Sequence, residues 1–369
     1  PMLYYLISIT SKPTSTAETI DFNAITLPLY ALFLIWIKRT YFMIIFAFIF
    51  YSPFKKQKEY IHNEGKAQGT YYSATYLQPE GKDLQPEIEK LLKEFDLSLS
   101  TYNPNSIISK INKNDDSVKT DIYFETMFEA ARKVSENTNG AFDITVAPLV
   151  NAWGFGFGNH ERIKAPDVQK LLPLVGYQKI RLVNHKLIKE NPEMMIDASA
   201  IAQGYSADLI AQLFEKNNCE NYMIDIGGEI VCKGVNPKGE LWRIGVDKPV
   251  DDPENSNSEL QTIISVSNVG LTTSGNYRQF YYKDGQKLAH TIHPKTGMPV
   301  EHNLLSATVV APNCTLADAY ATAFMVLGVD SAMKVCKTIE GMDCYLIYTN
   351  KDGEYQVTYT EGFKKYLKK

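Results

Sequence analysis

Between Tyr222 and Val310 the sequence offers strand-like segments in close succession: Tyr222–Ile226, Glu229–Lys233, Trp242–Val246, Thr262–Ser267, Gln279–Lys283 and Leu304–Val310, most of them separated by turn residues. No helix-length apolar period intervenes, so neighbouring strands must connect as hairpins, which requires a largely antiparallel sheet. A doubly wound dinucleotide fold, with its regular alternation of strand and helix, is excluded.

Helices flank this run. Leu84–Leu97 sets Ile88, Leu91, Leu92 and Phe95 on one face, and Asp121–Thr138 carries Met127, Ala130, Ala131 and Val134 before Asn139-Gly140 stops it. Further helices are expected at Ala202–Lys216, Leu316–Leu327 and Ser331–Lys337. A β-rich stretch covers Gly69–Leu77, and short strands Ile180–Val183 and Lys186–Lys189 join through Asn184-His185. The expected class is mixed α/β, with largely antiparallel sheets and flanking helices. Asp251–Ser258 reads as a polar surface loop. Gly154-Phe155-Gly156-Phe157-Gly158 also reads as a loop, because no apolar strand feeds it.

With 44% hydrophobic residues in 369, the chain has ample material for a core and is not intrinsically disordered. Its formal net charge of −4, without long blocks of one sign, argues against a nucleic-acid binder that relies on a general basic surface. Five cysteines with no CxxC pair give neither a disulfide framework nor a zinc site. There is no Walker A sequence and no GxSxG elbow.

Residues 1–60 are set apart as a targeting or membrane-proximal segment, leaving 61–369 as the folded domain. The apolar runs Ala24–Ile37 and Tyr41–Tyr51 are separated by Lys38-Arg39 and followed by Lys55, Lys56 and Lys58. Each is shorter than the roughly 20 residues that span a bilayer. The second resembles a secretory h-region without a cleavage site.

Four motifs could carry chemistry. In Thr315–Thr322, Asp318 and Thr322 stand four apart on one helix face and offer hard oxygen ligands suited to Mg²⁺ with phosphate. Equally, Asp318 could be an early-turn acid and Thr322 could bond back to its own helix. Tyr222–Glu229 contains a diglycine that either admits a nucleotide to the backbone or makes a hairpin turn. In His290–Gly297, two of the six histidines stand next to a Pro-Lys-Thr-Gly turn, where one could take a proton or simply satisfy the loop. Ile196–Tyr205 places small residues where a helix opens, a site for phosphate or for plain packing.

In order along the chain, these segments resemble the ApbE-like family of FAD:protein FMN transferases over about Gly65–Leu327. The matching stretches include Gly69-Thr70, Ser100-Thr101-Tyr102 with Ser109–Asn112, Gly140–Asp143 and Asp197–Gly204. They continue with Ile224–Gly228, Thr273-Ser274-Gly275, His290–Gly297 and Asp318–Thr322. The resemblance implies an ApbE-like fold with an FAD cleft between two lobes. It implies that Tyr102, Ala141, Phe142, Asp143 and Asp197 line the cleft, with Gln68, Gln203 and Ile292 as further FAD contacts. It implies Mg²⁺ on Asp318, Thr322 and the carbonyls of Ala200 and Ala321, and His290 assisting the attacking hydroxyl. The reaction implied is FMN transfer from FAD to a protein Ser or Thr, with release of AMP. Hydrolysis of FAD to FMN and AMP, or non-catalytic flavin binding, are the alternatives. The acceptors implied are membrane-bound or exported redox flavoproteins, and the place is the periplasmic side of the inner membrane or beyond. The chain departs from the family where Gln203 replaces a lysine, His293 an aspartate and Gln68 a methionine.

Overall fold

The computed structural model describes residues 31–43, 59–156, 166–249, 259–276, 280–283 and 286–367. It divides into two units, 1–57 and 58–369. In the first, residues 31–43 form a helix that continues through Lys38-Arg39, with Leu32, Trp36, Tyr41 and Phe42 exposed. Among the described residues no helix is long and apolar enough to cross a membrane. Most of the Tyr41–Tyr51 run lies outside the described residues, as do Asp251–Ser258 and the end of the Gly154–Gly158 run.

The second unit is built on an eight-stranded sheet of β1 (Ile61–Ala67), β2 (Thr70–Tyr76), β5 (Tyr222–Ile226), β6 (Glu229–Lys233), β9 (Val269–Gly275), β12 (Leu304–Ala311), β13 (Asp343–Thr349) and β14 (Tyr355–Tyr359), in that spatial order. Every pairing in it is antiparallel. Separate two-stranded pairs are formed by β3 (Ile180–Val183) with β4 (Lys186–Lys189), β7 (Trp242–Asp247) with β8 (Leu260–Val266), and β10 (Phe280–Lys283) with β11 (Gln286–Ala289). The fold begins slightly before residue 61: Tyr60 donates its hydroxyl to the Val235 carbonyl at 2.7 Å and stacks edge-on against Trp242.

Both faces of the central sheet are covered, so its middle strands are apolar on both sides. Along β12, Ala307 and Val309 face the helical layer, where they join Phe124, Met127, Tyr205, Tyr320 and Phe324. Val310 turns the other way, toward Trp242, Ile244 and Ile264 of the β7–β8 hairpin. Strict alternation of polar and apolar residues is therefore lost in β12, as expected for a strand buried twice.

The Cys314–Leu327 helix runs through the middle of the helical layer, with Ala317, Ala319, Ala321 and Ala323 fully buried. Its first turn lies almost on the backbone of β9: a Cβ at Gly270 would stand 2.2 Å from Asn313 C and Cys314 N. It starts two residues earlier than the sequence pattern predicts, because the Asn313 side chain accepts from Leu316 N–H at 2.9 Å.

Candidate active site

A cavity of about 430 Å³ opens where that helix meets the start of the Ala202–Lys216 helix, the end of β9 and the turns at 141–146 and 290–294. Asp318 and Thr322 both face it, one turn apart on the helix. The Asp318 Oδ2 atom accepts from Gly204 N–H at 3.1 Å. The Thr322 hydroxyl has no hydrogen-bond partner among the described residues, so it is not spent on its own helix. Ala200 lines the same wall. Ala321, between the two ligand candidates, is fully buried and lies outside the cavity wall.

Gln203 reaches the cavity beside the diglycine. Gly227 has φ +64°, and a Cβ there would meet Thr70 at 2.7 Å and Gln203 Nε2 at 3.1 Å. Side-chain loss at 227 thus lets the turn pack under Gln203, and the turn is closed by Gly228 N–H donating to Asp225 Oδ1 at 2.8 Å. Gln68 is not brought to the cavity. It takes the left-handed position of the β1–β2 turn, φ +49°, and donates Nε2 to Ser206 Oγ at 2.6 Å.

Ala141, Phe142, Asp143 and Asp197 also line the cavity, as does Tyr102, which is 75% exposed. Asp143 is fully engaged by the protein. Its Oδ1 accepts from Thr145 N–H (2.8 Å) and Thr145 Oγ1–H (2.6 Å), and its Oδ2 from Tyr177 N–H (2.8 Å). Burial raises its proton affinity and these donors oppose that. Asp197 is fixed similarly by Ser199, through N–H at 2.9 Å and the hydroxyl at 2.6 Å. The segment leading to it is held by Asn112, whose side chain exchanges two bonds with the Ile196 backbone at 2.8 and 2.9 Å.

The two histidines of the 290–297 segment separate cleanly. His290 and Ile292 line the cavity, and the His290 ring meets Phe155 edge-on at 6.4 Å. His293 stays in the turn, where its Nδ1 accepts from Lys295 N–H at 3.1 Å, the bond an aspartate makes in an Asx turn. Burial lowers its pKa, consistent with a neutral ring. Residues to which sequence reasoning gave no role also line the cavity: Glu229, Thr273, Ser274 and Met325. The diglycine next to Glu229 and the Thr-Ser-Gly run at the end of β9 were the signals available for the first three.

A family model for ApbE matches residues 68–346, well over half the chain. The chain belongs to the ApbE family. A curated relative, the FAD:protein FMN transferase of Haemophilus influenzae, is 35% identical over 326 residues, covering 84% of this chain and 92% of that protein. The FAD:protein FMN transferase of Escherichia coli K12 is 34% identical over 317 residues, 82% of this chain and 88% of its own length. Among solved structures, the flavin transferase ApbE from Vibrio cholerae superposes with a TM-score of 0.75 at 33% identity, covering 84% of this chain and 99% of that one. The apo form of Pseudomonas stutzeri flavinyl transferase ApbE gives 0.73 at 28% identity, covering 84% and 97%.

The electrostatics of this ApbE family member are unusual at Asp318. The carboxyl is buried, and no cation among the described residues offsets it. Burial pushes its pKa up to about 7, with Gly204 N–H opposing and the Asp208 charge adding to the rise. Among the described residues no cluster of three or more His, Cys, Asp or Glu forms a metal cage. A single carboxylate with neutral oxygens is nevertheless a donor set that suits a hard divalent cation, which completes its shell with water and phosphate oxygens.

Proposed function

We propose that this chain transfers FMN from FAD to a Ser or Thr hydroxyl of an acceptor flavoprotein, with Mg²⁺ as the metal and AMP as the leaving product. The observation that carries the reading is convergence in one cavity of the oxygen pair Asp318 and Thr322, the imidazole of His290, and Tyr102, Phe142 and Asp197. The curated relatives named as FAD:protein FMN transferases support the same reaction here.

Asp318, Thr322 and the carbonyl of Ala200, which line the cavity, would hold the cation. A buried carboxylate with no counter-charge among the described residues fits that assignment. A bound Mg²⁺ would supply positive charge beside the pyrophosphate. Tyr102 offers an aromatic face and Asp197 a carboxylate edge to the flavin half. Gln203 donates amide hydrogen bonds to the phosphates without supplying positive charge. His290 takes the proton of the acceptor hydroxyl while the hydroxyl oxygen bonds to the FMN phosphorus, and AMP departs with the bridging oxygen and its electron pair.

The acceptor is read as a membrane-bound or exported redox protein and the enzyme as working on the periplasmic side of the inner membrane. The apolar runs with basic flanks before residue 58 support this. Fractionation of a chain starting upstream of Lys38 tests it, and wholly cytosolic protein contradicts it.

Incubation with FAD, Mg²⁺ and a candidate acceptor tests the reaction, with AMP followed by chromatography and the acceptor by mass spectrometry. A mass gain equal to FMN supports transfer. AMP without that gain supports hydrolysis, and no AMP favours a binding protein.

A further inference from the structure

We propose that Asp208, which does not line the cavity, is a positioning residue that sets the cation affinity of the Asp318–Thr322 pair by docking the helix that carries them. The inference rests on reading Asp318 and Thr322 as cation ligands. Asp208 belongs to the Ala202–Lys216 helix, yet its carboxylate serves the start of the Cys314–Leu327 helix. Oδ1 accepts from Cys314 N–H at 2.9 Å, and Oδ2 accepts from Thr315 N–H at 2.8 Å and from the Thr315 hydroxyl. Asn313 takes the next amide, Leu316 N–H.

A helix end is ordinarily capped by the residue just before it, which fixes nothing beyond that helix. Here two of the first amides are satisfied by an acid from a neighbouring helix, so the cap also fixes how the helices lie against each other. One turn away, Gly204 N–H meets Asp318 Oδ2 at 3.1 Å. The contacts 204 to 318 and 208 to 314–315 lie about one turn apart on each helix. With the 208 bonds lost, the 204–318 bond is the hydrogen bond left between the two helices among the described residues.

Asp208→Asn keeps the size, removes the charge and breaks at least one of the three bonds, because an amide NH₂ cannot accept. The Mg²⁺ concentration for half-maximal AMP release should rise about ten-fold, as for residues that orient metal ligands, while the rate at saturating Mg²⁺ stays within about three-fold. In the absence of FAD, the rise in melting temperature produced by MgCl₂ should require correspondingly more Mg²⁺. A lower melting temperature with wild-type Mg²⁺ midpoints in both measurements overturns the proposal, since a purely structural cap predicts that pattern. If Asp208→Asn does not fold, Thr315→Ala, which deletes one of the three donors, carries the test. A midpoint raised about two- to three-fold supports the proposal and an unchanged one overturns it. Failure of the wild type to release AMP from FAD with Mg²⁺ refutes the functional reading instead, and the MgCl₂ melting titration still decides the role of Asp208.

Discussion

Gly204 donates its N–H to Asp318 Oδ2 at 3.1 Å, and a Cβ on residue 204 would stand 2.8 Å from the Asp318 Cβ and 2.4 Å from Cys314 O. The small residue and the acid are therefore one arrangement: the helices approach closely enough for a backbone amide to hold the carboxylate. Gly204→Ala forces them apart. The expected cost is about 1–3 kcal/mol of stability, the range for overpacking, together with a raised Mg²⁺ requirement. Thermal unfolding and Mg²⁺ titration of AMP release check both, and wild-type values in the two measurements contradict the packing argument.

Tyr102 and Asp143 should respond differently although both line the cavity. Tyr102 is exposed, so Tyr102→Ala should leave apo stability nearly unchanged while weakening FAD binding by on the order of 1 kcal/mol beyond lost area. Asp143 accepts three internal hydrogen bonds, so Asp143→Ala should lower apo stability by about 1–3 kcal/mol as Thr145 and Tyr177 donors lose their partner. Melting curves with FAD titrations separate the cases. A large apo loss in Tyr102→Ala contradicts its exposed placement.

The histidines make an equally sharp pair. His290→Ala should cut AMP release by about 10²–10⁴-fold with the melting temperature unchanged, the range for loss of a proton acceptor. His293→Asp should preserve turnover, because an aspartate can accept the same Lys295 N–H that His293 Nδ1 accepts now. Loss of turnover in His293→Asp with His290→Ala active reverses the assignment.

The pH dependence follows from Asp318. Its folded pKa is raised to about 7, whereas an unfolded carboxylate titrates near about 4. The native state holds the proton more tightly, so the stability it contributes is complete below about pH 4 and is lost as pH rises through about 7 in metal-free protein. Desolvation shifts buried Asp143 and half-buried Asp197 and Asp208 in the same direction. A cation displaces the Asp318 proton, so the melting-temperature gain from Mg²⁺ should be small at about pH 5.5 and large at about pH 8. Asp318→Asn should flatten that dependence. A gain that is constant across this range contradicts it.

What the sequence made legible follows from what local pattern can encode. The helices Gln85–Leu99, Ile122–Asn137 and Ala202–Lys216 announce themselves by period and by stop residues, and their observed bounds lie within two residues of the pattern. Strand β1, with sequence Ile-His-Asn-Glu-Gly-Lys-Ala, sits at the sheet edge and carries too little apolar alternation to be seen. The Ile107–Asn112 helix is too short to show a period, although its Asn112 holds the Asp197 segment in place. In the site, the i and i+4 spacing of Asp318 and Thr322 was readable. The contribution of Asp208, more than a hundred residues from its partners, depends on a helix crossing that no local pattern records. The role of His293 likewise needed the turn geometry, since two histidines three apart look alike in sequence.

The most direct test of the whole account is AMP release from FAD against Mg²⁺ concentration in Asp318→Ala and Thr322→Val, with unfolding curves alongside. Asp318 supplies the only full negative charge among the proposed ligands, so Asp318→Ala should abolish release while remaining folded, a loss of several kcal/mol at the transition state. Thr322→Val keeps the shape and should show a milder loss, partly recovered at high Mg²⁺. If Asp318 were only an early-turn acid, its replacement would cost about 0.3–1 kcal/mol of helix stability and leave turnover intact. Normal Mg²⁺-dependent AMP release by Asp318→Ala would contradict the site and the mechanism built on it.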